Sequence, residues 1–518
     1  MTRTLRTTLA VAIMACSLGA QRPVAQHRRI PAEKRAALSR ISASSLRGHL
    51  SFLASDALEG RNTPSPGLDL AAEYIAAQFR RAGLEPAGND GYFQTATFAL
   101  AETPMDSFGL KLHTGTDRID VAANQVSFSI EKALSVSAPL FKIDYTDATA
   151  LAALKPEQIE GRVIITEIPD YRREPRSRWM EMYRAQTAFT GMMTALKAAL
   201  IVSIDRVSTT GGGSGAGRLI DPENRRVFPA SAGVPVITVH DPRAVVVYDA
   251  MKPGPSDATV SVQVAAPVER PVKLRNVIGL LRGSDPVLSS TYVLLTAHYD
   301  HIGKGPAGAQ DNIFNGANDD GSGTVTVIEI ASALATLKKR PKRSIVFMTF
   351  FGEEKGGLGS RFYGRHPVFP LNKTVADVNL EQLGRTDSSE GPQLSNASLT
   401  GFDYSDLGTI FKAAGELTGV KVYKHEQNSD SYFSRSDNQS FADQGVPAHT
   451  LGVTFLFPDY HGVGDHWEKI DYANMEKVGR MVAMGLMMIA DNPQEPRWNA
   501  SNPKAARYLK AWQNQQGK

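Results

Sequence analysis

The sequence predicts an α/β protein: a layered sheet with helices on both faces. Three observations carry this. After residue 270, short apolar runs alternate with helical patterns, the rhythm of a sheet whose crossovers are helices. Residues 344–351 are almost continuously apolar, as a strand buried on both faces must be. Polar residues gather just past the ends of these runs, where open α/β sheets bind ligands. The chain has 518 residues, 42% hydrophobic and 21% charged. That is enough for about two or three domains with real cores, and it excludes wholesale disorder.

The first twenty residues read as an export leader. Arg3 and Arg6 precede a short apolar run over 9–15, followed by small residues. The run is too short to span a bilayer, which takes ~20 apolar residues, and no later stretch forms a transmembrane segment. Cleavage near Gly19 or Ala20 is expected, placing the protein outside a bacterial cytoplasm, secreted or periplasmic. A second reading takes Ile13-Met14-Ala15-Cys16 as a lipoprotein signal, with Cys16 as a lipid anchor. Loss of Arg3 and Arg6 lowers the net charge from +4 to +2, too balanced for a nucleic-acid partner. Cys16 is the one cysteine. A disulfide scaffold and a cysteine metal site are therefore excluded, as is a catalytic thiol once the leader is gone.

The elements follow in order. Leu46, Leu50 and Leu53 share a helical face over 42–54. Leu68, Ala71, Ala72, Ile75 and Phe79 repeat at helical spacing over 66–84, with Gly83 as the stop. From about 106 the texture changes to short strands and turns: strands over 161–165, 200–204 and 234–239, and a helix over 185–199. The glycine-rich stretch 211–217 lacks the Lys-Ser/Thr of a phosphate loop and reads as a surface loop. Beyond 270 come strands over 276–281, 292–297, 344–351 and 375–380, and helices over 323–337, 406–417 and 475–490. The expected organisation is a leader (1–20), a main domain in two parts (30–105 and 269–494), a separate middle block (106–268) and a loose polar tail (495–518).

The chemistry lies at the strand ends. Residues 292–297 lead into His298-Tyr299-Asp300. A turn-rich loop, Asn318-Asp319-Asp320-Gly321-Ser322-Gly323, immediately precedes a helix. The buried strand ends in Gly352-Glu353-Glu354, the next in Glu381, and Asp459-Tyr460-His461 precedes the last long helix. Imidazole nitrogen and carboxylate oxygen are the ligands zinc accepts without thiols. Adjacent residues of an extended segment point to opposite sides, so one of Glu353 and Glu354 can bind metal while the other faces a water. A Lewis acid beside a general base is what a metal-assisted hydrolase needs. Singly, each feature has an ordinary explanation: a surface Glu pair, a turn and helix cap, a structural histidine. Their joint occurrence points to a site. His49, His113, His240, His366, His425 and His449 lack such a setting, while His301 and His466 lie beside motif residues and could support them. There is no His-Glu-x-x-His and no Gly-x-Ser-x-Gly, which argues against a single-zinc protease of that type and an α/β-hydrolase.

TAHYDHIG, NGANDDGSGT, FFGEEKGGLGS, VNLEQLGR and PDYHGVGDHWEKIDY resemble, in that order, the motifs of the co-catalytic di-zinc aminopeptidases. That family includes secreted bacterial aminopeptidases, glutamate carboxypeptidase and the transferrin receptor ectodomain. LSFLASDALEGRNTPSPG and RNVIGLLRGSDP resemble it too, and the middle block resembles its inserted protease-associated domain. The resemblance covers nearly everything from about 40 to 490. It implies the zinc aminopeptidase fold, a mixed sheet with helices on both faces, and two zinc ions. Asp319 would bridge them, His298 and Glu381 completing one site and Glu354 and His461 the other. Glu353 would be the general base on a metal-bridged water, Asp300 would hydrogen-bond His298, and Tyr460 would help stabilise the tetrahedral intermediate. The Asp319–Asp320 peptide would be cis. Glu381 departs from the pattern, which more often has Asp there.

The resulting expectation is a secreted zinc exopeptidase that hydrolyses N-terminal residues from peptides with a free N-terminus. Lys304, Lys355, Arg385 and Arg435 are the cations near the motifs, scattered over separate loops rather than forked around one point, which disfavours capture of a terminal carboxylate. A carboxypeptidase or dipeptidase of the same family, a glutaminyl cyclase and an inactive binding relative are the alternatives.

Overall fold

The computed structural model describes residues 30–517 except 116, 129, 169–175, 208–216, 224–232 and 306–309. The leader, Cys16 and all of the glycine-rich stretch but Gly217 lie outside the described residues.

A ten-stranded sheet organises the main domain. Across it run Lys421–Tyr423, Asn396–Leu399, Ala448–Gly452, Thr374–Glu381, Tyr292–His298, Ser344–Phe350, Val268–Leu281, Phe93–Glu102 and Arg218–Ile220, with Glu85–Pro86 paired to Val268–Leu281. Four central strands, from Ala448–Gly452 to Ser344–Phe350, are parallel, and their carboxyl ends share one edge. Val268–Leu281 and Phe93–Glu102 continue antiparallel, so the sheet is mixed. Helix-forming segments cover both faces.

The run over 344–350 is buried throughout and apolar but for Ser344 and Thr349, because its two faces serve two cores. Ile345 and Phe347 join one with Ile75, Phe79, Val325, Ile328 and Met481. Val346, Met348 and Phe350 join the other with Tyr363, Phe441 and Tyr508. Helix Pro66–Ala82 shows how local chemistry sets an element. The Ser65 side chain accepts the Leu68 N–H, Pro66 occupies the first turn, and Gly83, with a φ of 76°, ends the helix in the left-handed region.

Two expectations change. Strand Val268–Leu281 starts eight residues before the expected 276. Its first half is largely exposed and mixes Glu269, Arg270 and Lys273 with Val268, Pro271 and Val272, so it carries no continuous apolar signal, yet it pairs residue by residue with Phe93–Glu102. The expected loose tail over 495–518 contains the helix Ala506–Gln515. Trp498 and Tyr508 are buried in the second core, with rings stacked 5.0 Å apart. Two aromatic anchors suffice to dock a segment whose composition is otherwise polar.

Residues 109–264 form a second, eight-stranded sheet with its own apolar core around Leu112, Val163, Val202 and Val260. One strand from this block, Arg218–Ile220, crosses over to pair with Phe93–Glu102 in the main sheet.

Candidate metal centre

The parallel strands deliver the site. His298 is the last residue of Tyr292–His298 and Glu381 the last of Thr374–Glu381. Glu353 and Glu354 follow Ser344–Phe350 by three and four residues. Asp319 sits just before helix Ser322–Ala335, and His461 follows Ala448–Gly452.

Asp319 stands between two groups. Its Oδ1 lies 3.4 Å from His298 Nε2, and its Oδ2 lies 3.1 Å from His461 Nε2. Glu381 Oε2 is 3.5 Å from His298 Nε2, and Glu354 Oε2 is 3.4 Å from His461 Nε2. Two sets of donor atoms, from His298, Asp319 and Glu381 and from His301, Asp319 and Glu354, each lie within 4.8 Å of one another. Ions with bonds of about 2.0–2.2 Å to nitrogen and oxygen fit such spacings. His301 is a finding: spacing placed it near the site only as a supporting group. It is fully buried, with Nδ1 2.7 Å from Glu354 Oε1, yet neither ring nitrogen and not that oxygen makes a hydrogen bond. Buried nitrogen and oxygen atoms facing one another without a hydrogen bond form a donor set that a cation would satisfy.

Electrostatics agree. Burial opposes ionisation of Glu354, but His301 and His461 outweigh it and hold Glu354 at about 2. Burial likewise opposes protonation of His461, yet Asp319 and Glu354 lift it to about 10. Burial pushes Glu353 well above the usual carboxylate range, and Glu381, Asp437 and Glu354 add to this against His298. So Glu354 is anionic and Glu353 proton-hungry: neighbours in sequence, opposite in character.

A polar scaffold holds the ligands. Asn318 Oδ1 accepts the backbone N–H groups of Gly384 and Arg385 at 2.7 and 3.0 Å. Asp320 Oδ1 accepts those of Gly323 and Gln382 at 3.0 and 3.1 Å. The Asp319 loop is thereby tied to the loop after Glu381. The Asp319–Asp320 peptide is cis. Arg61 is buried and donates to the carbonyls of Tyr299, Asn315 and Gly316, tying its own segment to the loop after His298 and the loop before Asp319. Ser436 donates to Glu381 Oε1 at 2.5 Å. Sequence reasoning named none of Arg61, Ser436 and Asp465 individually, the last of which accepts the backbone N–H groups of Asn318 and Asp319. Asp465 carried a signal, lying inside the last motif beside His466. His466 itself points away, 3.4 Å from Asp311.

Asp300 acts differently from expectation. His298 Nδ1 lies 3.6 Å from its carboxylate and 3.2 Å from its backbone oxygen, which takes the hydrogen bond. The carboxylate instead accepts Thr63 Oγ1–H and the Glu353 backbone N–H, each at 3.0 Å. It thus positions the Glu353 segment rather than the imidazole. Tyr460 stacks on His461 at 4.1 Å. Asp319, Glu353, Glu354, Glu381, Tyr460 and His461 all face one cavity of about 710 Å³.

Residues 276–486 match peptidase family M28. A probable zinc metalloprotease of Pyricularia oryzae is 39% identical over 283 residues, covering 45% of this chain and 53% of the relative. The aminopeptidase YwaD of Bacillus subtilis is 25% identical over 244 residues, covering 45% of this chain and 48% of its own. The chain spans about half the length of the curated relatives it matches. In fold it is similar to a zinc aminopeptidase from Bacillus subtilis, with a TM-score of 0.57, 16% identity, and 90% and 97% of the two chains covered. It is also similar to an aminopeptidase from Aneurinibacillus, with a TM-score of 0.55, 18% identity, and 89% and 97% covered. The M28 segment starts inside the long strand Val268–Leu281 and ends inside helix Tyr472–Asp491, so it contains every ligand residue of the two donor groups.

Proposed function

We propose that the protein is an exported zinc exopeptidase that removes N-terminal residues from peptides. The observation that carries this is the Asp319 carboxylate facing one donor group with each oxygen, with Glu353 in the same cavity. His298 and Glu381 would hold one zinc ion and Glu354 and His461 the other, with Asp319 between and His301 beside the second. Bound there, the ions supply a Lewis acid for the scissile carbonyl.

The chain's own groups do the rest. Glu353 takes a proton from the attacking water and returns it to the leaving amine, a task its burial suits by raising its proton affinity. Tyr460 faces the same space and is placed to donate to the developing oxyanion. The carboxylates of Glu353 and Glu381 favour a free ammonium group on the substrate. Tyr432, Phe455 and Leu456 line the same cavity and suit it to a large apolar N-terminal side chain. Arg385, one cation that could have anchored a terminal carboxylate, is committed: it pairs with Asp387 at 2.5 Å and Asp459 at 2.7 Å. The basic-then-apolar leader supports action outside the cytoplasm.

The test compares Leu-anilide with N-acetylated dipeptides on zinc-loaded protein. Turnover of the anilide is expected. Turnover of the acetylated set alone would reverse the choice of peptide end.

A further inference from the structure

Two cavities meet at Glu353. Beyond the first lies a second of about 430 Å³, and Glu353, Arg435 and Ser436 line both. If the N-terminal residue occupies the first, as the proposed aminopeptidase reading requires, the leaving fragment crosses Glu353 towards the second. Its walls differ sharply in chemistry. They are polar, built from serines, glutamines and glycines together with Arg361, Arg365 and Arg435.

The three arginines are not equivalent. Arg365 pairs with Asp221 at 2.5 Å and lies 3.8 Å from Glu223. Arg361 and Arg435 have no carboxylate partner among the described residues. Arg435 stacks over the Tyr432 ring at 4.5 Å, which occupies the guanidinium face and leaves the in-plane donors to meet a ligand. The cavity's other acid, Asp443, is already engaged by the Gln439 amide at 2.6 Å and by Arg507 at 3.7 Å. Two uncommitted guanidiniums in a polar cleft beside the reacting centre form a receptor for an anion that accepts forked hydrogen bonds.

We infer that the second cavity is the leaving-fragment subsite and that Arg435, with Arg361, binds a carboxylate on that fragment. The inference rests on the aminopeptidase reading and narrows it to short substrates with a carboxylate close to the scissile bond. That carboxylate is either the C-terminus of a dipeptide or an acidic side chain on the second residue. A guanidinium and a carboxylate in a partly enclosed cleft attract strongly enough for a preference of about tenfold or more.

The experiment measures kcat/KM of the zinc-loaded full chain for Leu-Gly, Leu-Gly-amide and Leu-Glu-amide. Leu-Gly or Leu-Glu-amide is expected to exceed Leu-Gly-amide by about tenfold. Preference for Leu-Gly identifies the C-terminal carboxylate, and preference for Leu-Glu-amide identifies the side chain. Arg435→Gln and Arg361→Gln should each shrink the preference several-fold, with Arg435→Lys keeping part of it. Equal turnover of all three peptides would overturn the carboxylate subsite while leaving the aminopeptidase reading intact. So would a preference unchanged in both glutamine variants. Turnover of none of them, with N-acetylated dipeptides cleaved, would overturn the aminopeptidase reading and this inference with it.

Discussion

The Asp465 carboxylate accepts the backbone N–H groups of both Asn318 and Asp319, at 2.9 and 3.1 Å through the same oxygen. The loop bearing His461 thus grips the loop that places Asp319 between its two donor groups. Removing that grip should loosen the shared ligand without deleting any ligand. Asp465→Ala is expected to weaken zinc binding by about 10–100-fold, the range seen when groups supporting metal ligands are lost. Competition with a chromophoric chelator measures it.

Glu353 and Glu354 should separate cleanly on mutation. Glu353→Gln is expected to retain full metal content and lose about 10²–10⁴ in kcat, the contribution of a general base. Glu354→Gln is expected to lose metal, since Glu354 lies within reach of both His301 and His461. Elemental analysis beside Leu-anilide kinetics distinguishes the two. Activity surviving in both variants would contradict the assignment of this pair.

The reconstituted protein should carry about two zinc ions per chain, as two donor groups sharing Asp319 imply. Acid should strip them, because protons compete with zinc for imidazole nitrogen and carboxylate oxygen. His301→Ala should lower the affinity for one ion and spare the other, since His301 borders Glu354 and belongs to the second donor group alone. A two-step zinc titration reads this directly.

His449 predicts a pH dependence of stability that is independent of metal-ligand titration. It is buried, accepts Ser405 Oγ–H at Nε2 and donates from Nδ1 to the Thr400 carbonyl, each at 2.7 Å. Burial lowers its pKa to about 4, from 6.5 when unfolded. Between those values the unfolded chain binds a proton that the folded chain refuses. The His449 contribution to stability therefore falls as pH drops from about 6.5 to 4 and is constant above 6.5, with a total loss of about 3 kcal/mol. Denaturant unfolding of metal-free wild type and His449→Gln isolates this contribution: the stability difference between them should change by that amount between about pH 6.5 and 4 and stay constant above.

Much of this protein was legible in the chain itself. The continuous apolar run ending in Glu353-Glu354 announces a central strand, because only burial on both faces tolerates such a run, and the residues after such a strand emerge at its carboxyl edge. Helix Pro66–Ala82 was equally plain, its apolar spacing and its Ser, Pro and Gly punctuation all being local. Composition was less reliable: it read residues 495–518 as loose, and the docking of Trp498 and Tyr508 depends on a surface assembled from distant segments. The site divides in the same way. Ligand candidates lie inside short motifs and show in sequence, since metal chemistry restricts residue type. Tertiary structure alone decided that His301 Nδ1 lies against Glu354 without a hydrogen bond, that the Asp300 carboxylate serves Glu353 rather than His298, and that Arg385 is locked in ion pairs while Arg435 has no carboxylate partner among the described residues. Each depends on distances between residues tens to hundreds of positions apart or on side-chain direction, and neither is encoded in residue type or spacing.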